Sequence, residues 1–508
     1  MSKLGIWFSL FFASWLTTIN TAAAEQVEVP IVGVESSFLQ QMGFMPEEAE
    51  DLNGIATQLR HFLEHHGYLL ASVAAHDGAL YVDLGLVTEI QTIGLGENTR
   101  QAAINYLIPA LEGKHPIEDE MDHALMLIGD MPGVDEPAIS FERSQDTGLY
   151  DALLTAQERN SSGAISFDST PRKAFQRNRI SLQQDFYHVL TGGDIFRFQG
   201  GMISGDGEPD QYSVYLSYQA PVADDGSYAE IAYADLESET SVRGRSTAVV
   251  SSTGFNIVPG AVTNHDYEGQ TISLSYGHPL HRAHDYSHYL IGNLDYTIDD
   301  TSGVGETDSW VVDMGWFETS HSDDGVTSDF SIGVGFGTTD SYVDSEDGDF
   351  AHLQVGYGLI QPLGATEENM EMRIEVFGQL STQDTPDARA FFLGSTDFLR
   401  GYESAALEGN SGLAGSLEIA RGYLLPSDYA YQAVPYLFLD YGYVKNPDSH
   451  VNGTTKPTSD SLASVGLGSS FDFRSGLRLE GYVAKPLKED STGTTPSAAG
   501  YLKLTWGW

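Results

Sequence analysis

Apolar residues recur at every second position along most of the chain after about residue 160, and the alternation runs to the final residue. Phe330, Ile332, Val334 and Phe336 interleave with Ser331, Gly333, Gly335 and Gly337. The same period returns in Tyr212/Val214/Leu216/Tyr218, Ile272/Leu274/Tyr276, Leu353/Val355/Tyr357/Leu359 and Leu437/Leu439/Tyr441/Tyr443. Neighbouring side chains of a strand point to opposite faces, so each segment has one apolar, aromatic face and one small or polar face. Clusters such as Asp224-Asp225-Gly226, Asp323-Asp324-Gly325 and Glu346-Asp347-Gly348 punctuate the segments as turns. Two architectures satisfy this pattern: a soluble β-sandwich or solenoid, and a membrane barrel with an apolar exterior and a polar lumen. The C-terminus favours the barrel. Leu502, Leu504, Trp506 and Trp508 alternate to the end, and a terminal aromatic suits the interfacial girdle of an outer-membrane strand. Pro221, Pro279, Pro362 and Pro486 each end a strand-like run, with Pro426 in a similar place, which predicts one rim of short turns and another of longer acidic loops. Residues 159–508, at roughly 20–22 per strand and loop, predict sixteen antiparallel strands.

The first residues read as an address. Lys3 supplies a positive charge, Leu4 to Leu16 an apolar run and Ala22-Ala23-Ala24 a small-residue cleavage site, so residues 1–24 are expected to be a signal peptide. That run is too short for a membrane-spanning helix, which takes about 20 residues, and no later stretch approaches the length. Zero cysteines remove disulfide frameworks, thiolate metal sites, a lipid-anchoring cysteine and cysteine nucleophiles. The 25 Lys and Arg stand against 72 Asp and Glu, a net charge of −47, which excludes a nucleic-acid partner because phosphate binding needs a basic footprint. The acidic surplus is expected on loops and domain surfaces and not on the lipid face of the barrel, where a buried charge costs a few kcal/mol.

Residues 25–158 have another texture. Leu52, Ile55, Leu59, Phe62 and Leu63 lie at helical spacing, with Pro46 before them and Gly67 after. Ala79 to Val87 and Glu89 to Leu95 look extended. Ile104, Leu107, Ile108 and Leu111 make one helix face, and Ile117, Met121, Ala124, Leu125 and Ile128 another. Strands are expected over 137–143 and 149–158, giving strand, helix, helix, strand, strand in roughly 70 residues, used twice. The expected domains are 25–88 and 89–158, each a small α+β module.

One stretch stands apart from the strands around it: Phe398-Leu399-Arg400-Gly401-Tyr402, then Gly409-Asn410-Ser411-Gly412 and Ser416-Leu417-Glu418-Ile419. It resembles the Arg-Gly-Tyr/Phe lid-loop signature of the BamA/TpsB outer-membrane superfamily, with Asn410 where Asp is commoner. Phe438-Leu439-Asp440-Tyr441-Gly442 resembles the family's Phe-x-Asp-x-Gly strand motif. The resemblance implies that a loop around 395–412 enters the lumen and that Asp440 accepts Arg400. The residues agree independently. If Leu437, Leu439, Tyr441 and Tyr443 face lipid, then Asp440 and Gly442 face inward. An inward carboxylate needs a partner, a planar guanidinium suits it, and Gly442 leaves room for a close approach. Arg400, Gly401, Tyr402, Asp440 and Gly442 are therefore the candidate lock, and Leu504, Trp506 and Trp508 the candidate barrel-closing signal.

His66-Gly67-Tyr68 and Met131-Pro132-Gly133-Val134 resemble the helix-to-strand steps of POTRA modules, the periplasmic domains of that superfamily. Two such modules and a 16-stranded barrel resemble the TpsB transporters of two-partner secretion, the haemolysin and haemagglutinin exporters. Those carry a plug helix before the first module; here a strand expected at Val27–Val34 leaves no room for one. The resemblance implies a monomer in the outer membrane of a Gram-negative bacterium, needing no cofactor, with lipid around it and an unfolded secreted protein as its client. An assembly factor of the same superfamily, or a porin with periplasmic appendages, are the alternatives. His61 and His65 at i,i+4 are set aside as metal ligands because no Glu follows His61 and their helix has an apolar face to serve. His278, His281, His284 and His288 are read as a solvated turn. No nucleophile elbow, P-loop or dinucleotide fingerprint occurs, so no enzyme is expected.

Overall fold

The computed structural model describes residues 30–45, 51–144, 148–170, 177–205, 208–238, 267–302, 305–342, 347–364, 369–382, 389–394, 398–402, 406–445, 459–489 and 497–508, with short pieces between 242 and 262 and between 450 and 455. The expected signal peptide and residues 25–29 lie outside the described residues. The chain forms two compact units, divided at Gly85 and Leu86.

In the first unit the order is Ile31–Val32, helix Ser36–Gln41, helix Leu52–His65, strand Ser72–His76 and strand Ala79–Asp83. Asp51 starts the long helix by accepting the Gly54 amide at 2.8 Å, which satisfies one of the unpaired donors at a helix N-terminus. Leu59 and Leu63 on its inner face, with Leu39, Leu80 and Val82, make a core without accessible surface to speak of. Gly67, at φ +78°, breaks the chain out of the helix. The strand expected after the His66-Gly67-Tyr68 step begins at Ser72, because the Tyr68 carbonyl accepts the Ala71 amide at 3.4 Å in an intervening turn while the Tyr68 ring packs edge-on against Phe38.

The second unit opens with the same order lengthened: Leu86–Ile93, helix Glu97–Leu111, helix Glu118–Gly129, Val134–Arg143 and Leu149–Glu158. In both three-stranded sheets the first strand lies parallel to the last, which pairs antiparallel with the middle one. The helix at Glu97 is capped from a distance: Glu158 accepts the Gly96 amide at 2.6 Å.

Sixteen long antiparallel strands follow, from Ser161–Thr170 to Ala499–Gly507, and the last pairs with the first between Gly507↔Ala164 and Lys503↔Asp168. Closure leaves no unpaired edge, the condition for a sheet to cross a membrane. Two-residue alternation fixes which face looks out. Along Ala430–Lys445, Leu437, Leu439, Tyr441 and Tyr443 are exposed, while Tyr436, Phe438, Asp440 and Val444 are buried. The expected outward rows at Phe330–Phe336 and Ile272–Tyr276 are likewise exposed and carry no charge.

Two expectations about charge and rims need correcting. Part of the acidic surplus lies inside the barrel: Asp168, Asp185 and Asp440 are buried on the lumen wall. Asp168 and Asp185 are held there by Arg179 and Arg197 across neighbouring strands, at 3.1 and 2.9 Å. The prolines do not share one rim either. Pro221, Pro279 and Pro362 lie at the ends of the fourth, sixth and tenth strands and Pro426 follows the twelfth, all on the rim beside the second α+β region. Pro486 ends the fifteenth strand and so lies on the opposite rim. Asp224-Asp225 and Asp323-Asp324 also turn on the near rim, so short turns here are acidic too.

Candidate functional site: a buried arginine inside the barrel

Between the eleventh strand, Met370–Ser381, and the twelfth, Ser411–Arg421, the described residues 389–394, 398–402 and 406–410 fold into the lumen. Phe391–Leu393 and Leu407–Gly409 pair as a small hairpin. Phe391 stacks on Phe377 of the wall at 5.8 Å, and Leu393, Leu399, Tyr402 and Leu407 join Ala414, Val444 and Leu462 of the wall in one buried cluster. Burying these side chains supplies the apolar stabilisation that keeps the segment in the lumen.

Arg400 is the charged centre of this contact. Its Nε and Nη2 donate to the two Asp440 oxygens at 3.0 and 2.8 Å, a bidentate fork. Its backbone N–H donates to Asp440 at 2.9 Å, Nη1 to Glu418 at 3.0 Å and Nη2 to Ser416 at 2.9 Å. The guanidinium also lies 3.5 Å above the Phe438 ring. Asp440 is fully buried, and Ser416 and Ser464, its partners on the two flanking strands, both donate to it. Arg373 also reaches Glu418, at 3.2 Å, so removing Arg400 leaves Glu418 with a cation but strands the Asp440 charge in a poorly hydrated wall.

Two glycines make the fit possible. Gly401 sits at φ +95°, and a Cβ there would come within 2.8 Å of the Ala484 Cβ. A Cβ on Gly442 would meet Leu399 and Leu393 at 2.6 and 2.7 Å. Tyr402 is buried; its hydroxyl lies 2.9 Å from the Ala463 carbonyl and accepts the Lys488 amide at 3.1 Å. The structure thus brings Arg400, Gly401, Tyr402, Asp440 and Gly442 together. Glu418, Ser416 and Phe438 complete the seat and were given no role by sequence reasoning. Their signal was present, since Ser416 and Glu418 alternate with outward Leu417 and Ile419.

Leu504, Trp506 and Trp508 lie on the outward row of the last strand, exposed by 38, 49 and 50%. Trp508 exchanges both backbone hydrogen bonds with Gly163 of the first strand, and Trp506 Nε1 donates to the Ser475 carbonyl at 3.1 Å. This is where the barrel closes.

A second contact region joins the α+β region 86–158 to the near rim. Asp130, just after helix Glu118–Gly129, accepts both Nε and Nη2 of Arg282 at 2.6 Å and the Tyr289 hydroxyl at 3.0 Å. His123 meets the Arg282 carbonyl at 3.0 Å, and Asn105 donates to Asp224 at 3.2 Å. A cavity of about 360 Å³ remains between them, lined by Tyr106, Leu127, Met131, Tyr228 and Tyr289 among others. Burial, with Asp224, Asp225 and Asp130 nearby, pushes the Tyr106 hydroxyl up to about 12. Of the histidines set aside earlier, His61 bonds Glu64 at the surface, while His281 and His288 stack beside Trp316.

The comparisons with known proteins agree with this fold. A family model described as haemolysin secretion/activation protein ShlB/FhaC/HecB matches residues 152–471. CdiB from Escherichia coli is similar in structure, with a TM-score of 0.72 at 14% identity over 97% of this chain and 93% of that one. CdiB from Acinetobacter baumannii gives 0.69 at 15% over 94% and 88%. BamA from Haemophilus ducreyi lacking POTRA domains 1–3 gives 0.53 at 15% over 94% and 99%. No curated protein matches the chain in sequence.

Proposed function

The chain belongs to the haemolysin secretion/activation family ShlB/FhaC/HecB, and on that premise we propose that it captures an unfolded client in the periplasm and exports it through a barrel gated by the Arg400 loop. As a member it is an outer-membrane protein transporter of a Gram-negative bacterium, with its α+β domains in the periplasm and no enzymatic activity. The observation that supports the gating reading is the bidentate Arg400–Asp440 pair inside the lumen, which fastens the described loop residues around Arg400 to the inner wall. Capture is assigned to the edge strands of the two small sheets, Ser72–His76 and Val134–Arg143, where main-chain pairing binds an extended chain without strict sequence demands. The periplasm holds no nucleotide to drive transport, so net movement comes from the client folding outside.

The test compares the culture medium of cells with and without the protein. The expected result is the loss of one large secreted protein, restored by the wild-type chain. An unchanged medium together with depleted outer-membrane barrels would overturn export and favour the assembly reading.

A further inference from the structure

The loop that carries Arg400 is fastened at a second place. Arg389, two residues before the hairpin strand Phe391–Leu393, sends Nη2 to Asp295 at 2.5 Å and to Asp313 at 3.1 Å. Those carboxylates stand on the seventh and eighth strands, Tyr286–Thr301 and Gly305–His321. Two further strands, Thr327–Ser341 and Gly348–Leu363, separate them from the strand the loop leaves. The wall is shaped to hold the pair. Asp313 also accepts His352 Nε2 at 2.9 Å, and Gly335 lies beneath, where a Cβ would overlap both side chains. On the loop side the Arg389 carbonyl accepts Gln379 Nε2 at 2.7 Å, and the same amide donates to the Asn410 carbonyl at 3.1 Å. Gln379 thereby ties the two ends of the loop together beside Arg389.

The design repeats that of Arg400: one guanidinium between two carboxylates from adjacent strands. The two seats lie on different parts of the wall, one on strands seven and eight, the other on strands twelve and thirteen. A segment pinned at both root and tip cannot swing out when only the tip is freed. We propose that Arg389 is a positioning residue for the lid, a root latch on Asp295 and Asp313 that holds the hairpin in the lumen independently of the Arg400 tip latch. The root side chains are 14–21% exposed against 0–13% at the tip, so the root is the wetter and weaker latch.

This rests on reading the loop as a lid, and the experiment separates the two. Full-length protein is reconstituted in planar lipid bilayers, and conductance is recorded for wild type, Arg389→Gln, Arg400→Ala and the double variant. A root latch gives brief partial openings in Arg389→Gln, partial openings in Arg400→Ala, and a long-lived open state, several-fold more occupied than in either single variant, in the double. Asp295→Asn/Asp313→Asn, which keeps side-chain shape, is expected to reproduce Arg389→Gln and guards against a folding defect in the arginine variant. Full opening by Arg400→Ala alone, with nothing added by Arg389→Gln, would overturn the root latch and leave the lid. Wild-type conductance in all four would overturn the lid itself, and the root latch with it.

Discussion

Arg400–Asp440 in the lumen and Arg282–Asp130 at the mouth use the same chemistry: a guanidinium fork on one carboxylate, with N···O distances of 2.6–3.0 Å. They differ in water. The lumen pair has side chains 8 and 0% exposed, the mouth pair 19 and 37%. Geometry alone would rank them equal. Burial separates them, because a buried ion pair that loses one partner strands the other charge, whereas a hydrated pair lets water take the vacated place. On the proposed reading the lumen pair is expected to behave as a lock and the mouth pair as a docking contact that releases and re-forms.

The largest expected effect tests the lock. Arg400→Ala and Asp440→Ala should each cost about 3–5 kcal/mol of the seated state. They share one interaction, so the double variant should be little worse than either single one. Arg400→Lys should recover little, because an ammonium lacks the planar fork. Secretion and the thermal denaturation midpoint of the detergent-folded barrel measure both points. Fully additive single effects would break the comparison, since the lumen pair would then be no more coupled than a surface one.

A smaller effect is expected at the mouth. Arg282→Ala or Asp130→Ala should cost about 1 kcal/mol and should leave the barrel's denaturation midpoint unchanged. What should change is the docking of the second module on the rim. The chain has no cysteine, so nitroxides on Asp119→Cys and Asp324→Cys report that distance without background labelling. The distribution should broaden in the variants, and in the wild type it should broaden with salt, which screens a partly hydrated pair within about 8–10 Å. The lumen pair should be indifferent to the same salt. A mouth pair equally indifferent would mean that it is effectively dry.

Legibility in the sequence follows the same division. The barrel was readable because the bilayer imposes one rule on every strand, and the outward rows at Phe330–Phe336 and Leu437–Tyr443 obey it. Arg400 and Asp440 were readable because each sits in a local motif, so their 40-residue separation needed no further clue. Arg282 and Asp130 lie 152 residues apart with no motif at either end. Arg389 likewise stands 94 residues from Asp295, and neither neighbourhood signals the other. The rim of Pro486 was misread because a proline marks the end of a strand but not which end of the barrel that is. Strand parity supplies this, and parity needs every strand counted. The strand after His66-Gly67 starts later than expected because a turn from Tyr68 to Ala71 comes first, with the Tyr68 ring against Phe38 of a short helix that periodicity does not reveal.

The smallest effect concerns the turns that receive the second module. In turn 188–194 the Asp194 carboxylate accepts the amides of Val189, Leu190 and Thr191 and the Tyr218 hydroxyl. Burial alone would raise its pKa, but these donors outweigh burial and hold it below the ordinary carboxylate range. Asp225 in turn 222–227 is lowered too, against burial, by the Ser227 hydroxyl and amide and by His278. Burial lowers the pKa of His188, against the pull of Glu158 and Asp194, and its Nδ1 accepts the Gly193 amide at 3.1 Å. A depressed pKa gives stability that is present above the unfolded value and lost as pH falls below it. For His188 the loss begins near pH 6.5, and for the two aspartates near pH 4. The module–rim distance measured by the same nitroxides should therefore be constant from pH 8 to 7, loosen slightly between about 6.5 and 5, and loosen again below about 4. His188→Asn keeps an acceptor near the Nδ1 position and cannot titrate, so it should remove the first step and spare the second. If the first step survived that change, another group would control the wet contact at the mouth.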